Sequence, residues 1–408
     1  MHCAVRMDSM LFITTGVNLI HPLVSSKDVN SSVCGIFFLK TPQFYHKSTI
    51  RRVESIARSE STLSNKASLK PYLEKLVRRQ NLTESEIHSA LDLVLDGNSP
   101  EQLAAFLVLL ASKTETPLEI GAIAESMRSR MVSVNPKCAR EHNEPLIDIV
   151  GTGGDGADTI NISTAASIVV ASCGARVAKH GNRSVSSKCG SADVLEELGI
   201  CLDLDAHGVE RCVDNAGIGF MFAPRFHPAM KSVAAVRKAL GIRTVFNIMG
   251  PLLNPARTQR AVIGVYSAEY CSIMAQALKN LGAEHILVVN TDGIDEFSPT
   301  GVAHVAELLP DGSIKEYSFD PESVGIARCV IEDLRGGDAQ VNAALLEEIL
   351  SGNRNGPMED AIVLNAAVGL YVAGKCKSIQ EGVITAQNSI RNGNPMHTLK
   401  KWAKESNA

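Results

Sequence analysis

The sequence predicts an α/β protein, with a small all-helical domain plus a large α/β domain built on a mostly parallel central sheet. Three observations predict it. From Leu146 onward, short β-branched runs (146–150, 176–179, 220–223, 261–265 and 285–290) alternate with helical stretches, the order that builds a parallel sheet through helical crossovers. Residues 68–132 instead carry three helix starts and broad helical periods. Polar segments rich in glycine or hydroxyls follow the strands, at the edge where such sheets bind ligands.

The elements follow in order. Thr83 with Glu86, Ser99-Pro100 with Gln102, and Thr116-Pro117 with Glu119 have capping-box spacing, the last two with proline at the first helical position. Behind them run Ile87-x-x-Ala-Leu-x-Leu-Val, Leu103 to Leu110, and Ile120-x-x-Ile123-x-x-x-Met127, each with a wide apolar face. The strands then alternate with helices as far as residue 290. Between 225 and 256 the pattern turns helical again and is expected to end at Gly250-Pro251. Pro310-Asp311-Gly312 between two apolar runs predicts a hairpin, and 338–390 reads as mostly helical.

Composition excludes several classes. The chain has 408 residues, 45% hydrophobic and 21% charged, with a net charge of −4. That balance argues against nucleic acid as a partner, and no apolar run reaches the roughly 20 residues that span a bilayer. Ten cysteines are scattered with no Cys-x-x-Cys pair, against a zinc site or a disulfide framework and in favour of a reducing compartment. Residues 1–65 are serine-rich and poor in acids, with scattered Arg51, Arg52 and Arg58, which is the composition of an organelle transit peptide.

The chemistry concentrates after the first strands. Pro145-Leu-Ile-Asp-Ile-Val150 leads into Gly151-Thr-Gly-Gly-Asp155, where glycines let backbone N–H groups approach an anion closely. Asn161-Ile-Ser-Thr164 opens a helix whose N-terminus favours phosphate. Lys179-His-Gly-Asn-Arg-Ser-Val-Ser-Ser187 holds two cations and three serines and no acid, a composition suited to a polyanion. Asp295-Glu296 follows the strand His285–Asn290, and paired carboxylates there suit Mg²⁺ shared with substrate phosphates. Neither a Walker A loop nor a dinucleotide fingerprint fits.

With Val236-Arg-Lys-Ala-Leu-Gly-Ile-Arg-Thr244 and Asn247-Ile-Met-Gly-Pro-Leu252, these motifs resemble those of the anthranilate phosphoribosyltransferases, in order and over about Leu69 to Trp402. Cys189 and Ile160 depart from that family's usual small polar residue and aromatic. The resemblance implies a nucleoside phosphorylase/phosphoribosyltransferase-like fold. It also implies transfer of the phosphoribosyl group from 5-phosphoribosyl 1-diphosphate to the amine of anthranilate, the second step from chorismate to tryptophan. The donor would be held by Gly151, Gly154, Asp155, Thr159, Asn161, Ile162, Ser163, Thr164, Lys179, Ser184, Val185, Ser186, Ser187 and Ser191. Anthranilate would meet Gly151, His180, Asn182 and Arg237, of which His180, Asn182 and Arg237 serve the reaction itself. Two Mg²⁺ would be carried by Ser163, Asp295 and Glu296. The resemblance further implies a discontinuous small domain (68–140 and 225–256), a large domain (143–224 and 257–404), a homodimer through the helices, and a plastid stroma location. Two rivals fit less well. A pyrimidine nucleoside phosphorylase would carry Gly-Gly-Val-Gly-Asp where this chain has Asn-Arg-Ser-Val-Ser, and a nucleic-acid-binding paralogue would be basic.

Overall fold

The computed structural model describes residues 68–96, 99–184 and 187–408. The leader expected over 1–65 lies outside them.

The first four helices are α1 (Lys70–Val77), α2 (Glu84–Asp96), α3 (Pro100–Lys113) and α4 (Pro117–Arg128). All three predicted caps form. The Thr83 N–H donates to Glu86 at 3.0 Å and the Glu86 N–H to Thr83 Oγ1 at 3.4 Å. Ser99 Oγ accepts from the Gln102 amide, and Thr116 and Glu119 exchange bonds of 2.9 and 3.2 Å. Glu119 does more than cap. It is fully buried, takes Lys113 Nζ at 2.5 Å and accepts the Leu82 N–H at 2.9 Å. Both charges of this pair are removed from water, so each needs the other and their shared hydrogen bonds.

A seven-stranded sheet follows, in the order β3-β2-β1-β4-β5-β6-β7. Its strands are β1 (Leu146–Gly151), β2 (Arg176–Gly181), β3 (Ile218–Phe222), β4 (Arg260–Gly264), β5 (His285–Thr291), β6 (Ala303–Leu308) and β7 (Ile314–Phe319). The first five are parallel, and β6 and β7 close the edge as the predicted antiparallel hairpin. Both faces are covered, and residues of β5 alternate between the two larger of three cores. Leu287 and Val289 of β5 join one cluster while Ile286 and Val288 join the other. A strand buried on both sides needs this unbroken apolar run.

The first core lies under α6 (Ile162–Ser172), α12 (Ala339–Leu350), α13 (Pro357–Val372), α14 (Ile379–Arg391) and α15 (Asn394–Ser406). The second runs from the opposite face into α11 (Glu269–Asn280) and the four-helix bundle. Short helices α5 (Lys137–His142), α7 (Ser191–Glu197), α8 (Ala206–Ala216), α9 (Ala223–Phe226) and α10 (Met230–Leu240) complete the fold. Val233 and Val236 of α10, with Val245, Phe246, Ile248 and Met249 after it, pack in the core of the bundle although the chain has already built three strands. The helical pattern does not end at Gly250-Pro251. Pro251 sits inside a 3₁₀ turn, Gly250–Leu253, in whose opening residues a missing N–H costs nothing.

Candidate functional site

Strand order reverses direction between β1 and β4, and the predicted motifs gather at that switch point. Gly153 and Gly154 take left-handed φ of 73° and 80° in the turn after β1, a conformation other residues adopt at a cost. The Thr152 N–H donates to the Gly264 carbonyl at 2.9 Å and the Gly153 N–H to Asp295 Oδ2 at 2.5 Å.

Asp295 arrives by a reversal at the end of β5. Thr291 and Ile294 exchange backbone bonds of 3.0 and 2.8 Å around Asp292 and Gly293, both at positive φ. The returning chain crosses the ends of β4 and β1. A Cβ on Gly264 would lie 1.5 Å from the Asp295 carbonyl oxygen, and one on Gly151 2.3 Å from Asp295 Oδ2. Gly151 therefore admits a carboxylate, and Gly264, which the sequence reading missed, admits that residue's backbone. Its signal was the glycine ending an apolar strand.

Asp295 is buried and Glu296 half-buried. Burial and the charges of Asp155 and Glu296 push the Asp295 carboxyl well above the usual range. Burial likewise raises Glu296 to about 7, against the opposing pull of Lys179 and of the Ser163 N–H, which donates to Glu296 Oε1 at 3.2 Å. The free amide of α6 expected to hold phosphate thus already faces a carboxylate. Thr152 Oγ1 and Thr164 Oγ1 are buried close by in sequence, with no partner among the described residues. Among the described residues no three acidic, imidazole or thiol groups form a metal cage of their own. Two carboxylates and the Ser163 hydroxyl are a partial set of hard oxygen donors, which fits a Mg²⁺ completed by water and substrate phosphate.

Both cations of the basic loop have partners within the protein. Lys179 is 1% exposed and its Nζ donates to the Ile149 carbonyl at 2.6 Å. Burial lowers its pKa against the fields of Asp148 and Glu296. Arg183, the other cation, is held by Asp193 and Glu196 at 2.9 Å each. Asp193 also takes the Ser184 and Gly190 amides at 3.1 and 2.9 Å and so shapes the loop. Ser184 Oγ bonds Ser187, and Ser191 Oγ donates to the Asn182 carbonyl at 3.1 Å. Val185 and Ser186 lie outside the described residues. Lys188 is exposed and makes no ion pair among the described residues.

His180 also has partners within the protein. It is 4% exposed, and its Nδ1 lies 2.9 Å from the Gly250 carbonyl, which can only accept, so Nδ1 carries the proton. Its Nε2 then accepts from His227 Nε2 at 3.2 Å. Burial lowers His180 to about 3 and His227 to about 4, so this is a neutral pair with both His180 nitrogens engaged. Beneath it, Asp148 is buried and raised to about 6 by burial, taking Asn254 Nδ2 at 2.7 Å. Asn182 is exposed, and its Oδ1 accepts the Arg183 N–H at 2.8 Å.

Other expected contact residues also tie segments of the fold together. Asn161 ties two segments, donating to the Cys189 carbonyl at 3.1 Å and accepting from Asn342 at 2.9 Å. Ile162 is in the core and Thr159 bridges to Arg335. Arg237 is half-buried on α10 and makes no ion pair among the described residues, and burial lowers its pKa. A half-buried guanidinium without an acid is a seat for a carboxylate.

Comparison with known proteins agrees with this layout. Residues 143–396 match the Glycosyl transferase family, a/b domain, and 70–131 the Glycosyl transferase family, helical bundle domain. An anthranilate phosphoribosyltransferase of Geotalea daltonii is 44% identical over 351 residues, covering 83% of this chain and all of that protein. One from Methanosarcina barkeri is 46% identical over 325 residues, covering 80% of this chain and 87% of that protein. The crystal structure of anthranilate phosphoribosyltransferase from Thermus thermophilus superposes with a TM-score of 0.77 at 42% identity, covering 82% of this chain and 99% of that one. The Saccharomyces cerevisiae enzyme in complex with PRPP and Mg gives 0.76 at 30% identity, covering 84% of this chain and 99% of that one. With both family models matched and relatives 44–46% identical over four-fifths of its length, the chain belongs to the anthranilate phosphoribosyltransferase family.

Proposed function

We infer that the protein transfers the 5-phosphoribosyl group of 5-phosphoribosyl 1-diphosphate to the amine of anthranilate, releasing diphosphate, as a step of tryptophan biosynthesis. The observation that carries it is the meeting of the Gly151–Asp155 turn, the α6 N-terminus and the Asp295-Glu296 pair at one sheet edge. The amine attacks C1′ as the diphosphate leaves, through an oxocarbenium-like transition state. Negative charge grows on the leaving group, so alignment and fixed donors do most of the work. The amine keeps a free lone pair, and its proton becomes acidic only after attack, so no strong base is needed. That agrees with the neutral, fully engaged His180, whose part is to hold its loop.

Asp295, Glu296 and the Ser163 hydroxyl would hold Mg²⁺, which neutralises phosphate charge when bound. Two ions per site are our reading, because diphosphate alone brings about three negative charges. Thr152 and Thr164 offer buried hydroxyls to the donor, and Ser184, Ser187, Ser191 and Lys188 border it. Arg237 would take the anthranilate carboxylate through a guanidinium fork. Residues 68–140 with 225–256 are proposed as the small domain, and the protein as a homodimer through its helices. We further propose the plastid stroma, from the serine-rich, acid-poor first 65 residues.

The test follows anthranilate fluorescence with the activated sugar present. It should fall with wild-type protein, stop with EDTA, and persist with other aromatic amines. Turnover untouched by EDTA would overturn the metal assignment, and no loss of anthranilate at all would overturn the reaction.

A further inference from the structure

One cation at the site's rim is neither buried nor paired with an acid. Arg243 follows α10 in an exposed loop, and its guanidinium donates to the Gly154 carbonyl. The same guanidinium lies 4.0 Å above the centre of the Tyr266 ring. Tyr266 stands two residues past the end of β4 and packs against Tyr270 of α11, with ring centres 5.3 Å apart. Arg243 makes no ion pair with an acid among the described residues.

We propose that Arg243 is a positioning residue that clasps the glycine turn against Tyr266. The inference rests on the donor site described above and adds to it. Gly153 and Gly154 are both left-handed, and a glycine turn is free to take other conformations. Holding the Gly154 carbonyl fixes its peptide plane, and with it the direction of the Asp155 N–H on the other side of that plane. The clasp therefore aims donors at the diphosphate without touching it. It also reaches the turn from the segment that carries Arg237, so one stretch of chain serves both substrates with different arginines. Arginine is needed here because its flat fork can donate at its edge while its face lies on a ring, which an ammonium cannot do.

Two readouts test the clasp. The first is hydrogen exchange of the ligand-free protein over residues 150–157, where the Thr152 and Gly153 amides are bonded. Arg243→Ala and Tyr266→Ala should each speed exchange there about tenfold, the scale of one lost charge-assisted bond, and Tyr266→Phe should not. The second is steady-state kinetics. Arg243→Ala and Tyr266→Ala should raise KM for the phosphoribosyl donor about tenfold and leave KM for anthranilate within twofold, and Tyr266→Phe should behave as wild type. Arg243→Lys should recover less than half of the loss. Unchanged exchange in both alanine variants would overturn the clasp. So would full rescue by lysine with no effect of Tyr266→Ala, which would make Arg243 a direct phosphate contact. Faster exchange in a protein that never consumes anthranilate would leave the clasp standing and sink the reaction.

Discussion

At the scale of single residues the site is set by what burial does to carboxylates. Glu296 is raised to about 7 and Asp295 well above its usual range, both chiefly by burial. An acid whose folded pKa is raised binds its proton more tightly in the native state than in the unfolded chain. Its contribution to stability is present at low pH and is lost as pH rises from the unfolded value, near 4.5, through the folded one. A divalent ion that takes the proton's place restores what ionisation removes. Magnesium with diphosphate should therefore raise the melting temperature more at pH 8 than at pH 6, and an equal shift at both would contradict the metal assignment. Glu296→Gln keeps the shape and removes the charge, and should cut turnover by about a hundredfold or more at saturating substrate. Arg237 gives a cleaner separation. Arg237→Ala should raise KM for anthranilate by at least about tenfold and leave KM for the donor nearly unchanged, and equal effects on both would refute its role.

At the scale of elements, strand ends and turns were legible wherever the chemistry was local. The three helix caps, the hairpin at 310–312 and the parallel strands follow from spacing and β-branched runs, and the structure forms each of them. What spacing could not show were partners remote in sequence. Lys179 and Arg183 look free in their own loop, yet one is claimed by the Ile149 carbonyl and the other by acids on α7. His180 is fixed by His227 and Gly250, 47 and 70 positions away. Gly264 had no visible purpose until the Asp295 backbone was found above it. Main-chain atoms cannot step aside as a flexible side chain can. Gly264→Ala should thus destabilise the fold by about 2–4 kcal/mol, measured by denaturant unfolding, and should also weaken magnesium binding. An alanine variant with wild-type stability would show that the crossing is looser than drawn.

At the scale of the whole molecule, one sheet separates two large cores, a third, smaller one lies against β1 to β3, and the helical bundle shares a core with one face of the sheet. The return of 230–253 to that bundle could not be read from residue patterns. Helical periodicity says that a segment buries a stripe and is silent on what it buries it against. Val77 of α1 leaves 66% of its surface exposed beside the half-buried Tyr72 and Leu73. A homodimer through the helices would cover it, so Val77→Asp should shift the sedimentation coefficient from dimer to monomer. A wild-type protein that sediments as a monomer would remove the proposed interface.

The crossing of Asp295 over two strand ends also limits how this protein can be altered. Because the Asp295 main chain fills the space above β4 and its carboxylate the space above β1, the reversal at 291–296 has no spare length. Inserted residues there should abolish folding, whereas the tip at 310–312 should accept a peptide tag. Retuning the ion preference of such an enzyme would have to proceed by exchanging carboxylate and amide tips on an unchanged backbone, because grafting a longer loop from another protein would push the two strands apart.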